Sequence, residues 1–168
     1  MSRRLLLIRH ARSDRAGPSR RDHERRLAER GHKAAQRMGA YLRETGLEPD
    51  LVLCAPSRRT RETLDRLGLG RARVRFEDAL YEAGPGELLR VVRERSGDAA
   101  TVAVVGHNPG TQGLAVVLAG ADRGRQAERL RERLPTGALA VFEVEGEWSE
   151  VASDTARLER CVVPGELR

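Results

Sequence analysis

Leu5-Leu6-Leu7-Ile8-Arg9-His10-Ala11 opens with four apolar residues in a row and ends on an Arg-His pair. An alternating pattern would mark a strand with one wet face. An unbroken run marks a strand buried on both faces, as in a parallel sheet covered by helices. Such sheets place their ligands at the carboxyl ends of the strands, so Arg9 and His10 stand where a ligand is expected. A guanidinium offers an anion a planar fork of donors, and an imidazole can attack phosphorus or carry a proton. The pair alone suits a surface cap on a strand equally well. The later strand ends decide between the two.

Working outward, short apolar runs recur at residues 51–54, 74–76, 101–105 and 138–144. Helix-like segments lie between them. Residues 28–45 carry Ala34, Ala35, Met38, Tyr41 and Leu42 at helical spacing, and Gly46 is a suitable terminator. Residues 59–67 and 87–95 also read as helices, the second after Gly84-Pro85-Gly86. Asn108-Pro109 reads as an N-cap with proline in the first turn, opening a helix that runs to residues 118–120. Strands alternating with helices predict a three-layer α/β/α sandwich with a mostly parallel central sheet. Residues 138–144 and 150–153, joined across Glu145-Gly146-Glu147, are expected to add an antiparallel hairpin at an edge. Residues 14–26 read as a loop beside the first strand's end, and the charged residues 123–133 as a surface helix or a mobile segment. With no repeat and no linker, residues 1–168 are expected to form one domain, long enough to bury its own core.

Composition narrows the function classes. Lys33 is the only lysine among 31 Lys+Arg, and 25 acidic residues leave a net charge of +6. A basic balance points to nucleic acid when the charge is clustered. Here arginines interleave with acids, as in Arg129-Leu130-Arg131-Glu132-Arg133, and only five aromatic residues are present to stack on bases. The expectation is a solvated charged surface and no nucleic-acid partner. Cys54 and Cys161 do not make a disulfide framework. Met1-Ser2-Arg3-Arg4 leads into an apolar run too short for a signal peptide or a membrane span. A soluble, cytoplasmic protein without a membrane partner is expected.

Four groups fall just beyond expected strand ends. His10 follows the first. Ala55-Pro56-Ser57-Arg58-Arg59-Thr60-Arg61-Glu62-Thr63 follows the second and puts arginines at a helix start, where backbone N–H groups also favour an anion. Asp78-Ala79-Leu80-Tyr81-Glu82 follows the third, and Gly106-His107-Asn108-Pro109 the fourth. Each has a bland explanation as a turn glycine, a capping residue or a solvated charge. Two histidines, an arginine at a helix start and an acid, all on one edge of one sheet, are hard to obtain by chance.

Two enzymatic rivals fail on spacing. A cysteine phosphatase would place arginine six residues after Cys54, but that residue is Thr60, flanked by Arg59 and Arg61. Cys54 then reads as a small buried hydrophobe. A P-loop hydrolase needs Gly-Lys-Ser/Thr, and none follows Gly106.

Leu7-Ile8-Arg9-His10-Ala11, the Ala55-Pro56-x-x-Arg59-x-x-x-Thr63 segment and Val105-Gly106-His107-Asn108 together resemble the three signatures of the histidine phosphatase (phosphoglycerate mutase-like) superfamily. Within it, His10-Ala11-Arg12-Ser13-Asp14, then Asp22-His23-Glu24-Arg25-Arg26-Leu27-x-x-Arg30-Gly31 and Met38-Gly39-x-x-Leu42, are similar to the small SixA-like phosphohistidine phosphatases. The resemblance runs in order over roughly residues 4–120. Ala11 replaces the glycine usual after the nucleophile, and Ala55 replaces the serine usual before Pro56.

The resemblance implies that His10, as a neutral imidazole, attacks phosphorus in line and becomes phosphorylated. It implies that Arg9, Arg59 and a protonated His107 hold the phosphoryl oxygens and stabilise the transition-state charge. An acid then protonates the leaving group, and the same residue assists water in the second step. Glu82 is the candidate by its place after the third strand, with Asp14 as its rival. Ser13 and Asn108 fall beside the implied phosphate pocket, while Arg58 and Arg61 read as solvated helix residues. No cofactor or metal is implied, and His23 and His32 build no metal cluster with the others. The short chain leaves little room to cap the site, which favours a bulky phosphorylated substrate such as a phosphohistidine protein. A small-molecule phosphomonoesterase or mutase is the alternative. A phospho-ligand-binding module is the non-enzymatic one, countered by the presence of both His10 and Arg59.

Overall fold

The computed structural model describes residues 2–15 and 21–167. The expected loop over residues 14–26 therefore lies partly outside the described residues, at 16–20. Strands β1 (Ser2–Arg9), β2 (Leu51–Cys54), β3 (Arg73–Phe76) and β4 (Thr101–Gly106) pair in parallel, β5 (Leu139–Glu145) pairs antiparallel with β1, and β6 (Ala156–Val162) pairs antiparallel with β5. They form one six-stranded sheet in the order β3-β2-β4-β1-β5-β6. β1 is interior, paired with β4 from Arg4↔Thr101 to Arg9↔Gly106 and with β5 from Ser2↔Glu145 to Ile8↔Leu139.

The apolar run of β1 is unbroken because each face of the strand meets a helical layer. Leu5 and Leu7 pack with Leu88, Val91, Leu114, Leu118 and Leu130, which come from α3 (Pro85–Arg95), α4 (Gly110–Ala119) and α5 (Arg125–Glu132). Leu6 and Ile8 pack on the other side with Met38, Leu42 and Leu67 of α1 (Glu29–Glu44) and α2 (Arg58–Leu67). All four β1 side chains are fully buried. At about 25 cal/mol per Å² of apolar surface removed from water, each contributes on the order of 1.5–3 kcal/mol. The three-layer α/β/α sandwich expected from the sequence is the observed architecture. Its four parallel strands bring the ends of β1, β2, β3 and β4 to one edge. Among the described residues, no helix is long and apolar enough to cross a membrane.

Two expectations are corrected. The second hairpin strand is not residues 150–153 but Ala156–Val162. Trp148–Glu150 is a 3-10 turn whose fully buried indole donates from Nε1 to the Ala99 carbonyl at 2.7 Å. A register shift opposite Val141/Phe142 displaces the alternation of β6, so its buried residues fall at Leu158, Cys161 and Val162 rather than every second position. Helix α4 starts at Gly110, with Pro109 rather than Asn108 in the cap position. Asn108 instead accepts from the Gln112 backbone N–H through Oδ1 at 3.1 Å and donates from Nδ2 to the Leu134 carbonyl at 3.2 Å. The charged stretch over residues 123–133, left open above, contains α5, held by buried Ala127 and Leu130.

Candidate active site

The end of β1 is pinned on both sides. The backbone N–H of Arg9 donates to Ala138, that of His10 to Gly106, and that of Gly137 returns a bond to the His10 carbonyl, all at 2.9–3.1 Å. Behind them, Thr63 on α2 accepts from the Ala11 N–H at 3.0 Å and donates to the Arg59 carbonyl at 2.7 Å. Ser57 caps α2 by accepting from the Thr60 N–H at 3.3 Å. The Ala55-to-Thr63 segment is thus the brace that fixes Arg59, in the first turn of the helix, against the His10 loop.

His10 is nearly buried, and its Nδ1 lies 2.7 Å from the Ala11 carbonyl. A carbonyl can only accept, so Nδ1 carries the proton and Nε2 keeps its lone pair. Burial, with the charges of Arg59, Arg9 and Arg25, lowers the His10 pKa to about 4 against the Ala11 bond that raises it. The ring is a neutral base at ordinary pH, as a nitrogen nucleophile must be.

His107 stands beside it, ring centroids 5.4 Å apart. A guanidinium can only donate, so Arg59 Nη2, 3.2 Å away, donates a hydrogen bond to His107 Nδ1, while Nε2 faces Ser57 Oγ at 3.4 Å. Burial first, then Arg59 and His10, push its pKa down to about 3. Next to Arg59, and with no anion bound, the imidazole is neutral, whereas the resemblance implies a protonated His107 against the phosphoryl group. A phosphoryl dianion alongside would favour the charged form, since an opposite charge at contact distance raises a histidine pKa.

Arg9 donates from Nη1 to the Leu134 carbonyl at 3.0 Å, the same oxygen that Asn108 holds. Arg59 donates from Nη1 to the Asp22 carbonyl at 2.8 Å and from Nη2 to Asp22 Oδ2 at 3.1 Å. The Nε–H groups of both arginines are buried and have no hydrogen-bond partner among the described residues. A buried unsatisfied donor is costly and calls for an explanation. Two of them, on arginines whose charges both bear on His10, describe a receptor for an anion.

The remaining candidates are placed less centrally. Glu82 adjoins Tyr81 on this edge, exposed to solvent, with a φ of 54° that residues other than glycine rarely adopt. Asp14 turns its carboxylate to Arg26 at 3.1 Å. Ser13 accepts from Arg25 Nη2 at 2.8 Å, and Asn108 braces the Leu134 loop, so both support the site's walls. Cys54 donates to the Ala55 carbonyl at 3.3 Å, and burial pushes its thiol up to about 12, which removes the thiolate a cysteine phosphatase needs.

Asp22, Tyr81 and Arg25 were given no role from the sequence, yet they join the site. Tyr81 donates its hydroxyl to Asp22 Oδ2 at 2.6 Å and sets its ring edge-on to His107, centroids 5.4 Å apart. Arg25 donates to Asp22 Oδ1 at 3.0 Å. The Tyr81 hydroxyl, then Arg25 and Arg59, hold the Asp22 carboxyl well below the usual carboxylate range. The signal available was proximity in sequence: Tyr81 precedes Glu82, and Asp22 opens the segment similar to SixA-like proteins. Among the described residues, no group of three or more His, Cys, Asp and Glu side chains converges as a metal site.

Known proteins are similar to this chain in sequence and in fold. An uncharacterized protein of Mycobacterium tuberculosis H37Rv, Rv1276c, is 39% identical over 146 residues, 85% of this chain and 91% of its own. A solved structure of a proposed phosphohistidine phosphatase SixA from Nakamurella multipartitia is 35% identical, with a TM-score of 0.88 over 98% of this chain and 97% of that one. One from Agrobacterium tumefaciens, of the same description, is 26% identical with a TM-score of 0.83 over 96% and 98%. Residues 5–95, spanning the Arg9-His10 pair and Arg59, match the family model, and the chain belongs to the histidine phosphatase superfamily, branch 1.

Proposed function

We propose that the chain is a phosphatase that works through a covalent phosphohistidine on His10 and removes phosphate from histidine in proteins. Membership of the superfamily supports a phosphatase or mutase. The observation that carries the finer reading is the pair of buried, unpartnered Nε–H donors on Arg9 and Arg59, the two arginines whose charges bear on His10 and its free Nε2. In this reading Nε2 attacks phosphorus as the bond to the leaving atom breaks. The ring takes on positive charge, which the Ala11 carbonyl eases through Nδ1–H. Arg9 and Arg59 hold the equatorial oxygens, where preorganised donors contribute most to such reactions. The leaving nitrogen takes a proton, with Glu82 as the proposed donor. Water then attacks phosphorus, the P–Nε2 bond breaks, and His10 returns to its neutral form as the water's proton passes to Glu82 or solvent.

A phosphohistidine protein as substrate is supported by the likeness to the two SixA structures and by a short chain with little to cap the site. The whole of residues 1–168 is read as one catalytic domain. The experiment is brief incubation of wild type and His10→Ala with labelled phosphohistidine peptide, then acid and base treatment. Wild type should trap an acid-labile, base-stable phosphoenzyme, and the variant should trap none and turn nothing over. Because the arginines supply the charge, turnover should persist in excess EDTA. Full activity of His10→Ala would overturn the mechanism. A kcat/KM for a sugar phosphate far above that for any phosphohistidine peptide would overturn the substrate.

A further inference from the structure

Arg59 has five N–H donors, and the structure shows where most of them go. Both terminal nitrogens are engaged by Asp22, one through its backbone carbonyl and the other through its carboxylate, and Nη2 also reaches His107. Nε is the one nitrogen of the group left buried with no partner among the described residues. The guanidinium is therefore held by its outer end and offers its inner edge.

Asp22 is itself immobilised. Arg25 donates to Oδ1 at 3.0 Å and Tyr81 to Oδ2 at 2.6 Å. Arg25 also donates from Nε to the Asp14 carbonyl at 3.0 Å and from Nη2 to Ser13 Oγ at 2.8 Å, which ties Asp22 to the segment just after His10. Tyr81 is wedged between two rings, His107 at 5.4 Å and His23 at 4.9 Å. Asp22 thus sits in a cage of one carbonyl-bound guanidinium, a second guanidinium and a phenol.

We propose that Asp22 and Tyr81 are positioning residues for Arg59: a carboxylate–phenol clamp that occupies the outer nitrogens of the guanidinium and turns its Nε–H edge onto the phosphoryl group. The proposal rests on the reading of Arg59 as a phosphate ligand and adds which residues aim it. The competing account makes Asp22 a built-in anion that substrate must displace. The bonding favours the clamp. A displaceable anion would cover the donor that phosphate needs, whereas Asp22 leaves Nε–H free and has its own partners in Arg25 and Tyr81. A role in stability alone is the other account. It predicts that anion affinity does not depend on Asp22 once the protein is folded.

The test compares Asp22→Ala, Asp22→Asn and Tyr81→Phe with wild type, using an activated aryl phosphate as substrate and inorganic phosphate and vanadate as inhibitors. Vanadate takes the five-coordinate shape of the transition state, so it reports aim, whereas inorganic phosphate reports charge. With Asp22→Ala, vanadate inhibition should weaken on the order of 100-fold, the scale of a misplacement of about 1 Å, with kcat falling in step. Inorganic phosphate should weaken far less. Asp22→Asn, which keeps an oxygen for Arg59, should recover part of the loss. Tyr81→Phe keeps the ring against His107 and loses one hydrogen bond to a charged group, so about a tenfold effect on vanadate is expected. Tighter binding of inorganic phosphate by either Asp22 variant would overturn the clamp in favour of the displaceable anion. A lowered melting temperature with unchanged vanadate inhibition would overturn it in favour of a structural role. Should Asp22→Ala not fold, Tyr81→Phe alone decides by the same two outcomes. If wild type itself neither binds vanadate nor forms a phosphoenzyme, the phosphatase reading fails instead.

Discussion

Gly39→Ala sets two opposing effects against each other in a helix that backs the site. In a helix interior, alanine is favoured over glycine by about 0.5–1 kcal/mol, so propensity alone predicts a more stable protein. Gly39, however, lies where α1 crosses the end of α2. A methyl group there would fall 2.0 Å from the Leu67 carbonyl oxygen, 2.7 Å from its carbon and 2.9 Å from its Cα. Non-bonded atoms rest at about 3.5 Å or more, so the helices would have to part by about 1.5 Å. The obstacle is backbone, already bound to Arg43 Nη1 at 2.8 Å, and it cannot swing away as a side chain would. Overpacking of this kind costs about 1–3 kcal/mol, enough to outweigh the propensity gain. A net loss of about 1–2 kcal/mol should lower the melting temperature by about 2–8 °C for a chain of this size. Gly86→Ala in the first turn of α3 is the control. A methyl there meets nothing within 4 Å, so it should stabilise by about 0.4–1 kcal/mol. Since Arg59 rides on α2, Gly39→Ala should also cut kcat/KM at temperatures where the variant is fully folded. Thermal melts followed by circular dichroism, paired with turnover of an activated aryl phosphate, measure both. A Gly39→Ala protein that melts at or above wild type would refute the packing argument.

Acidification is expected to act through the two site histidines. Their folded pKa values, about 4 for His10 and about 3 for His107, lie below the ordinary 6.5. The unfolded chain therefore takes up protons first, and stability should decline as pH falls from about 6.5 toward 4, with Asp22 extending the loss at lower pH. Imidazole NMR signals of His10 that stay flat from pH 8 to about 5 would agree, whereas a midpoint near 6.5 would contradict the burial argument. Glu82→Gln should slow alkyl phosphates by on the order of 10²–10⁴-fold while sparing nitrophenyl phosphate, whose leaving group departs nearly unaided. Equal losses on both would make Glu82 a positioning residue, and no loss would move the role elsewhere.

The sequence was most legible where one constraint dominated. Leu5 to Ile8 could be read because burial on both faces leaves no room for a polar residue. The site arginines and histidines could be read because parallel strands send all their ends to one edge. β6 was obscured by its register shift, which breaks the period of two on which strand reading depends. Its edge position also admits Arg157, Glu159 and Arg160, which mask the apolar residues between them. The neutral state of His107 could not be read from its neighbours in sequence, because it is set first by burial in the folded chain and then by Arg59, 48 residues away. The same holds for Asp22, whose partners Arg59 and Tyr81 lie 37 and 59 residues downstream.

The strand order has a consequence in time. β1 is translated first, yet its partners β4 and β5 begin only at Thr101 and Leu139. At about 5–20 residues per second, roughly 5–20 seconds pass before the first partner strand exists. Until then Leu5-Leu6-Leu7-Ile8 is an apolar strand without a sheet, and Arg9 and His10 belong to no pocket. Because β4 must slot between β1 and β2, the centre of this protein is completed late in synthesis, and its catalytic edge cannot exist on a nascent chain that stops short of residue 107.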